Sequence, residues 1–482
     1  MADWTSRKVL VVGAARQGIA LAGYLSRHGA QVTLTDQKPA DQMPQTAALA
    51  GLPIRWALGG HSLNLLEDCD LVCPSGGVSL DLPLVAEAQR RGIPLSNDSQ
   101  IFLEIAPCKV IGITGSAGKT TTTTLVWRMA NAAIAGALIA DAAAADRRFG
   151  MGSKVFLGGN IGSPLIAVVE EMTVEDLAVM ELSSFQLEIM TRSPQVAAIL
   201  NITPNHLDRH GTMEAYTAAK ARILDFQSSA DAAILGRDDP GSWRLAPRVR
   251  GQLFSFGMRS PATLEAGQSG AGAFYRDGSL FWWDGQAEID LMPRSRIRLR
   301  GEHNLQNVLA ACAIATAAGL PAEAMRAGVE GFNGVAHRLE FVRQWGGANW
   351  YNDSIATTPE RAMAAVRSFG EPVVLLIGGR DKHLPWAEFA ALVSQRVEAL
   401  VLFGEMADLV EKALIATGKG AYTLKKCSNL REAVQAAAAI VGSRLQPAPT
   451  WAVLLSPGGT SFDEFRDFEE RGEAFRRWVN EL

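Results

Sequence analysis

The sequence predicts an α/β protein of three domains built on parallel sheets. Short Val/Ile/Leu runs recur, each followed by a Gly or polar turn and then by a helical pattern. That alternation is what sheets covered by helices on both faces require. The length, 482 residues, corresponds to about three domains at roughly 150 residues each. With 48% hydrophobic and 20% charged residues, the composition supplies ordinary globular cores.

The first domain is expected over residues 1–107, with strands at Lys8–Val12, Gln31–Thr35 and Asp70–Cys73 and a helix near Pro83–Arg91. The second, 108–334, opens on the strand Lys109–Ile113 and adds Asp176–Met180 and Val196–Leu200. Between Gly251 and Leu299, runs such as Phe281-Trp282-Trp283 suggest antiparallel character, and an Ala-rich helix follows at Asn304–Ala318. The third, 335–482, has strands at Val373–Ile377, Leu400–Phe403 and Ala452–Leu455 and an amphipathic helix after Phe462.

Bulk properties exclude several function classes. A formal net charge of -4 gives no strong basic field for nucleic acid or an anionic membrane. The five cysteines (Cys69, Cys73, Cys108, Cys312, Cys427) are odd in number and form no CxxC pair. Reduced thiols of a cytosolic protein fit better than disulfides or a zinc site. The polar N-terminus runs straight into a strand without a signal-peptide core. The apolar stretch Asn131–Ala145 is broken by Asp141 and is not expected to span a membrane. A cytoplasmic location follows as an expectation.

The strongest motif is Gly112-Ile-Thr-Gly-Ser-Ala-Gly-Lys-Thr-Thr121, set between a strand and a helix. Backbone N–H groups of such a turn, with the helix N-terminus behind them, cradle phosphates. Lys119 can reach the β/γ-phosphates and Thr120 can join a Mg²⁺ shell. The commoner pattern has glycine six residues before the lysine, where this chain has Ile113. A phosphate loop by itself indicates a nucleoside triphosphate and does not separate a ligase from a kinase or transport ATPase.

Other residues narrow the choice. Glu181 closes a strand, on the ligand face of an open sheet, and Mg²⁺ takes oxygen ligands from one or two carboxylates; the plainer reading is a helix-entry charge. In Asn201-Ile-Thr-Pro-Asn-His-Leu-Asp-Arg-His210, His206, Asp208 and His210 are candidate metal or phosphate ligands, or members of a polar turn. Lys220 sits among alanines in a helical stretch, and residue physics alone does not single it out. Asn352–Thr358, Gly378–Lys382 and Leu455–Ser461 each follow a strand and could share one rim, although ordinary βα turns favour the same residue types. In the first domain, Gly13-Ala-Ala-Arg-Gln-Gly18 and Asp36 approximate a nucleotide-binding turn, weakly.

Together these segments resemble the Mur ligase family. The resemblance runs in order through Gly112–Thr121, Leu157–Gly162, Met180–Glu188, Asn201–Arg209, Ala218–Ile223, His303–Asn307, His337-Arg338, Asn352–Thr358, Gly378–Lys382 and Ser456–Gly472. The Glu-Leu-Ser-Ser-Phe-Gln-Leu-Glu run and the Ser461–Gly472 tail point to the glutamate-adding branch. The resemblance implies a Rossmann-like N-terminal domain, a central P-loop ATPase domain and a Rossmann-like C-terminal domain. It implies an ATP-dependent ligase of peptidoglycan precursor synthesis that adds glutamate, D-glutamate favoured, to UDP-N-acetylmuramoyl-L-alanine through an acyl phosphate.

By the same resemblance, Gly13, Arg16, Gln17, Asp36, Ser75 and Gly76 lie on the UDP side, and Asn160 contacts the muramoyl group. Gly115, Ser116, Ala117, Gly118, Lys119, Thr120 and Thr121 hold ATP, with Asn304 and Asn307 on the adenine side. Arg338 and Asp353 reach the nucleotide from the third domain. Thr120, Glu181, His206 and Lys220 serve two Mg²⁺ ions, Lys220 as its carbamate; Lys119, His206 and Lys220 are the implied catalytic set. Thr357, Lys382, Ser461, Phe462 and Phe468 match glutamate-binding positions, and a monomer is implied.

The chain departs from the family pattern in places. Ile355 replaces a frequent lysine, which leaves an L-glutamate-adding relative as the alternative. Cys73-Pro-Ser-Gly-Gly77 alters a usual Ser-Pro-Gly order, and the Ala-rich 131–154 stretch reads as a surface excursion. Folylpolyglutamate synthase shares the central motifs but lacks the N-terminal domain implied by about a hundred residues ahead of the P-loop. A non-enzymatic nucleotide-gated binding protein would not need Glu181, His206 and Lys220 together.

Overall fold

The computed structural model describes residues 3–139, 153–263, 270–418, 420–443 and 450–482. These residues form two compact units: one of 1–298 with 302–332, the other of 299–301 with 333–482. The first unit contains two sheets. Its four-stranded sheet uses β1 (Lys8–Val12), β2 (Gln31–Asp36), β3 (Arg55–Leu58) and β4 (Leu71–Pro74). They run parallel in the order β3-β2-β1-β4.

The nine-stranded sheet uses β5 (Lys109–Thr114), β6 (Val155–Gly159), β7 (Leu177–Glu181), β8 (Val196–Ile199), β9 (Ala232–Gly236), β10 (Gln252–Gly257), β11 (Gly272–Arg276), β12 (Ser279–Trp283) and β13 (Glu288–Pro293). Its order is β13-β12-β11-β10-β9-β8-β5-β7-β6. β5, β7 and β8 are wholly or almost wholly buried. This explains their continuous apolar runs: a parallel strand covered on both faces has no solvent side to make polar. The expected antiparallel region is narrower than the sequence suggests. β10 pairs parallel with β9 and β11, and among the described residues of this region only β11–β12 and β12–β13 are antiparallel.

One apolar core joins the two sheets of this unit, with Leu21, Leu25 and Phe102 from the first part packed in a cluster with Leu165, Ile166 and Leu187 from the second. The helix after the phosphate loop runs from Lys119 to Ile139, so the Ala-rich stretch begins as helix. Residues 140–152, which hold the remainder of that stretch including Asp141 and Ala145, lie outside the described residues.

The second unit is a six-stranded sheet of β14 (Glu340–Trp345), β15 (Ala348–Asn352), β16 (Val373–Gly378), β17 (Ala399–Phe403), β18 (Thr423–Lys426) and β19 (Trp451–Gly458). The order is β14-β15-β19-β16-β17-β18, parallel except for the β14–β15 hairpin. Apolar clusters cover both faces, one around Leu375, Phe389 and Leu454, the other around Trp350, Val453 and Phe475. The closing helix, Phe468–Glu481, is capped by the Asp467 carboxylate, which accepts from the Glu470 N–H. Among the described residues, no helix is long and apolar enough to cross a membrane.

Candidate active site

Topology builds the site. β7, β5 and β8 are neighbours, in the register Ile113 opposite Glu181 and Thr114 opposite Ile199. Their carboxyl ends therefore place Glu181, the 115–118 turn and the Asn201 loop side by side. Chain connections diverge here: β5 leads through a helix to β6 on one side, while β8 and β9 lie on the other. Open sheets bind ligands at such a switch point.

The loop is tied from outside. Ala117 N–H donates to the Asn201 side-chain oxygen at 2.8 Å and Ser116 N–H to the Asn201 carbonyl at 2.9 Å. The Ser116 hydroxyl donates to the Thr203 carbonyl at 2.9 Å and lies 3.0 Å from the Tyr216 hydroxyl. Gly118 is left-handed, φ +82°, and a Cβ there would lie 2.2 Å from Asn307 Oδ1, so only glycine fits. Asn307 is buried and donates to Asn304 Oδ1 at 3.1 Å, which brings the expected adenine-side pair against the loop. Lys119 and Thr120 begin the helix half-buried, and Thr121 is buried.

Two lysines meet at one acceptor. Lys119 Nζ donates to the Gly115 carbonyl at 2.9 Å and Lys220 Nζ to the same oxygen at 3.0 Å. Lys220 is 1% exposed, 4.7 Å from the Tyr216 ring centre. Burial, then the neighbouring Lys119 charge, hold its amine well below the ordinary lysine range, against a smaller opposite pull from Glu181. Glu181 is 2% exposed; its Oε1 accepts from Asn160 Nδ2 at 2.9 Å and its buried Oε2 has no hydrogen-bond partner. An orphan carboxylate oxygen beside a phosphate loop suits a hard cation such as Mg²⁺, which also takes hydroxyl, phosphate and water oxygens. Among the described residues no three His, Cys, Asp or Glu side chains form a protein-only cage.

The histidine loop packs around Phe185. The His210 ring stacks on Phe185 (5.2 Å, 6°) and its Nε2 is 3.0 Å from the Ser184 hydroxyl. His206 is exposed, left-handed at φ +53°, and edge-on to Phe185 at 5.1 Å. Burial and then nearby cations outweigh Asp208 in lowering the pKa of His210; for His206 burial leads as well. Asp208 is exposed in the same loop.

Sequence reasoning missed Arg209. Its guanidinium lies 4.1 Å from the Phe185 ring centre and donates to the Gly77 carbonyl at 3.2 Å and to the Val78 carbonyl. It thereby joins the histidine loop to the first sheet. No spacing rule marks such a contact, because its acceptors are backbone atoms about 130 residues away. Lys220 did carry a signal. Tyr216, Ala219, Lys220, Ile223 and Leu224 share the buried face of the helix Met213–Asp225 at helical spacing, and a lysine on an apolar face is unusual.

At the first sheet, the ends of β1, β2 and β4 bring together Gly13, Asp36 and Ser75. Asp36 Oδ2 accepts from the Ala14 N–H at 2.7 Å, the Ser75 hydroxyl donates to the Gly13 carbonyl at 3.0 Å, and the Gly76 N–H donates to Gln17 Oε1 at 3.1 Å. Arg16 donates to the Gly162 carbonyl at 3.0 Å, and a cleft lined by Arg16, Gln17, Gly159 and Asn160 lies between this turn and β6.

In the second unit, the ends of β15, β19 and β16 are adjacent, so the three expected polar loops do form one rim. Asp353 is buried, accepts from the Leu339 N–H at 3.2 Å and the Ser456 hydroxyl at 2.8 Å, and is pushed by burial up to about 7. Arg338 is exposed between His337 and Leu339, both at positive φ, and its charge opposes that rise. Lys382 Nζ donates to the Thr357 hydroxyl at 3.2 Å. Ser461 is buried, Phe462 is 61% exposed, and the Phe468 carbonyl accepts from Ser354 Oγ at 2.8 Å. Arg471, wholly buried, clamps the Ser354 and Gly459 carbonyls, a second residue with no marked role in the sequence reading.

Three family models cover the chain: the MurD-like N-terminal domain of Mur ligases over 7–97, the Mur ligase middle domain over 113–315 and the Mur ligase glutamate ligase domain over 337–456. The UDP-N-acetylmuramoylalanine–D-glutamate ligase of Symbiobacterium thermophilum is 40% identical over 98% of both chains. That of Pelotomaculum thermopropionicum is 38% identical over 100% of this chain and 99% of its own. Among solved structures, UDP-N-acetylmuramate-alanine ligase MurC of Thermotoga maritima superposes with a TM-score of 0.53 at 19% identity over 98% of this chain and 100% of its own. MurF of Acinetobacter baumannii reaches 0.56 at 18% identity over 99% and 92%; both speak to the fold alone. Matched by three family models between residues 7 and 456 and by relatives over nearly its full length, the chain belongs to the Mur ligase family.

Proposed function

We propose that the chain is an ATP-dependent, ADP-forming ligase that adds D-glutamate to UDP-N-acetylmuramoyl-L-alanine in peptidoglycan precursor synthesis. The observation that carries the reading is the convergence of the phosphate loop, the half-satisfied Glu181 carboxylate and the buried Lys220 amine. The full-length relatives that bear a D-glutamate ligase name support the substrate.

In this reading residues 1–107 hold the UDP end, 108–334 hold ATP, and 335–482 bring glutamate. The 115–118 backbone and Lys119 take the triphosphate, with Asn304 and Asn307 toward adenine. Thr120 and Glu181 would hold one Mg²⁺; His206 and Lys220, as its carbamate, would hold a second. Bound there, the ions neutralise charge on the transferring phosphoryl group. Burial holds the Lys220 amine well below the ordinary lysine range, and an uncharged amine is the form that adds CO₂; with loss of one proton the product exchanges an amine for an oxygen-donor anion. The substrate carboxylate attacks the γ-phosphorus, ADP departs, and the acyl phosphate forms. The glutamate amine then adds to that carbonyl, phosphate leaves with its P–O bond intact, the amine proton is released and an amide remains. Positioning and electrostatics supply the rate. The enzyme acts on small molecules in the cytoplasm as a monomer, without a nucleic-acid partner.

Ile355 supports a second reading, addition of L-glutamate. Phosphate release from ATP with UDP-N-acetylmuramoyl-L-alanine, compared between the glutamate isomers, separates them. Release with the D-isomer alone is expected. Release with the L-isomer alone transfers the assignment to the second reading, and release with neither sinks both.

A further inference from the structure

Two cationic side chains converge on the turn 355–357. Lys382 reaches it through the Thr357 hydroxyl at 3.2 Å. From the other end, Arg361 Nη1 donates to the Ile355 carbonyl, a single long contact of 3.4 Å. That carbonyl also accepts from the Thr357 N–H at 2.9 Å, so both cationic heads approach the same three residues. Lys382 and Arg361 are exposed.

Three acids of the neighbouring loops are engaged elsewhere, and Glu360, beside Arg361 in sequence, is exposed. Asp381 accepts from the His383 N–H and the Trp386 indole, Asp353 from Ser456 and Leu339, and Glu405 pairs with Arg380. Among the described residues, neither Arg361 nor Lys382 has a carboxylate at ion-pair distance. Two exposed cations that approach one short turn repel each other, with the buried Asp353 carboxylate offsetting only part of the Arg361 charge, and a ligand with two anionic groups removes the repulsion. Arg361 spends one of its five donors on the Ile355 carbonyl, which leaves its planar fork for a carboxylate. The helix that carries it starts at Pro359, whose fixed φ favours the first helical position, so the side chain starts from a rigid base.

We propose that Arg361 is a specificity-determining residue that binds one carboxylate of the incoming dicarboxylic amino acid, beside the Lys382 and Thr357 positions that the family resemblance already implies. This assignment rests on the reading of this rim as the glutamate site. It explains how a loop with an apolar residue at 355 recognises a dianion. It also commits Arg361 to the amino acid and not to the nucleotide phosphates, the other anions of the reaction.

Initial rates of phosphate release by the full chain, with ATP and UDP-N-acetylmuramoyl-L-alanine saturating and glutamate varied, test it. For Arg361→Gln, loss of a charge-assisted bond raises KM for glutamate about tenfold or more, with kcat changed far less, KM for ATP unchanged and partial recovery in Arg361→Lys. A glutamate KM within twofold of the parent, or a rise in KM for ATP instead, overturns the assignment. Matched circular dichroism of the variants and parent excludes misfolding as the cause. A parent chain that does not turn over glutamate overturns the substrate reading and this assignment with it. An active parent with an indifferent Arg361→Gln variant overturns this assignment alone.

Discussion

Lys119 and Lys220 donate to one and the same atom, the Gly115 carbonyl oxygen, at 2.9 and 3.0 Å. Two ammonium groups so close in a buried setting cannot both hold their charge cheaply. Lys119 is half-buried and Lys220 fully buried, and it is the Lys220 amine that burial and the Lys119 charge hold well below the ordinary lysine range. Lys220→Ala leaves room where the side chain was and should lower kcat at least about a hundredfold. Acetate or another short carboxylic acid should restore part of it by standing in for the carbamate. Full activity without added acid would refute the role, as would a dead variant that no acid rescues while its fold is intact.

Gly118 and Asn307 set a second expectation. Gly118→Ala forces a Cβ to 2.2 Å from Asn307 Oδ1 at a φ of +82°, a conformation that costs a non-glycine residue about 1–2 kcal/mol. KM for ATP should rise about tenfold or more, while KM for the nucleotide-sugar substrate holds. Isothermal titration with a non-hydrolysable ATP analogue measures the loss directly, and unchanged affinity would remove the loop from the ATP site.

Arg209 links the histidine loop to the glycine turn of the first sheet through the Gly77 and Val78 carbonyls. Arg209→Gln should raise KM for UDP-N-acetylmuramoyl-L-alanine by about tenfold and leave KM for ATP alone, because the ATP loop is anchored by Asn201. Steady-state kinetics with each substrate varied in turn give the answer. Equal changes in both constants would mean that the contact serves general stability only.

Asp98 makes the pH prediction. It is 3% exposed, its Oδ1 has no hydrogen-bond partner, and burial pushes its carboxyl up to about 7 from 3.8. Between these values the folded chain binds more protons than the unfolded one, so stability falls as pH rises from about 4 to about 7. Asp98→Asn mimics the neutral acid and should flatten that fall, with a gain on the order of 4 kcal/mol at most above pH 7. Urea denaturation at pH 4.5 and 8 checks it; a variant with the parent's full pH dependence would place the effect elsewhere. Asp353, also pushed up to about 7, leaves a residual slope.

By itself the sequence determined the α/β class, the parallel strands and the chemistry at their ends. Fully buried strands need apolar runs, and phosphate loops need glycines and a lysine at set spacing, so both are written locally at Lys109–Thr114 and Gly115–Thr121. The loops at Asn352, Gly378 and Ser456 were legible in the same way, since each polar turn follows its strand directly. Only the tertiary structure decided which ends are neighbours: β7 beside β5 beside β8, and β15 beside β19 beside β16. It also decided the environment of Lys220 and Glu181, since burial and a shared carbonyl acceptor come from chain segments about a hundred residues apart. Arg209 and Arg361 stayed hidden for a related reason. Their chief acceptors are backbone carbonyls, which any residue supplies, so no pattern of side chains along the chain records the contact.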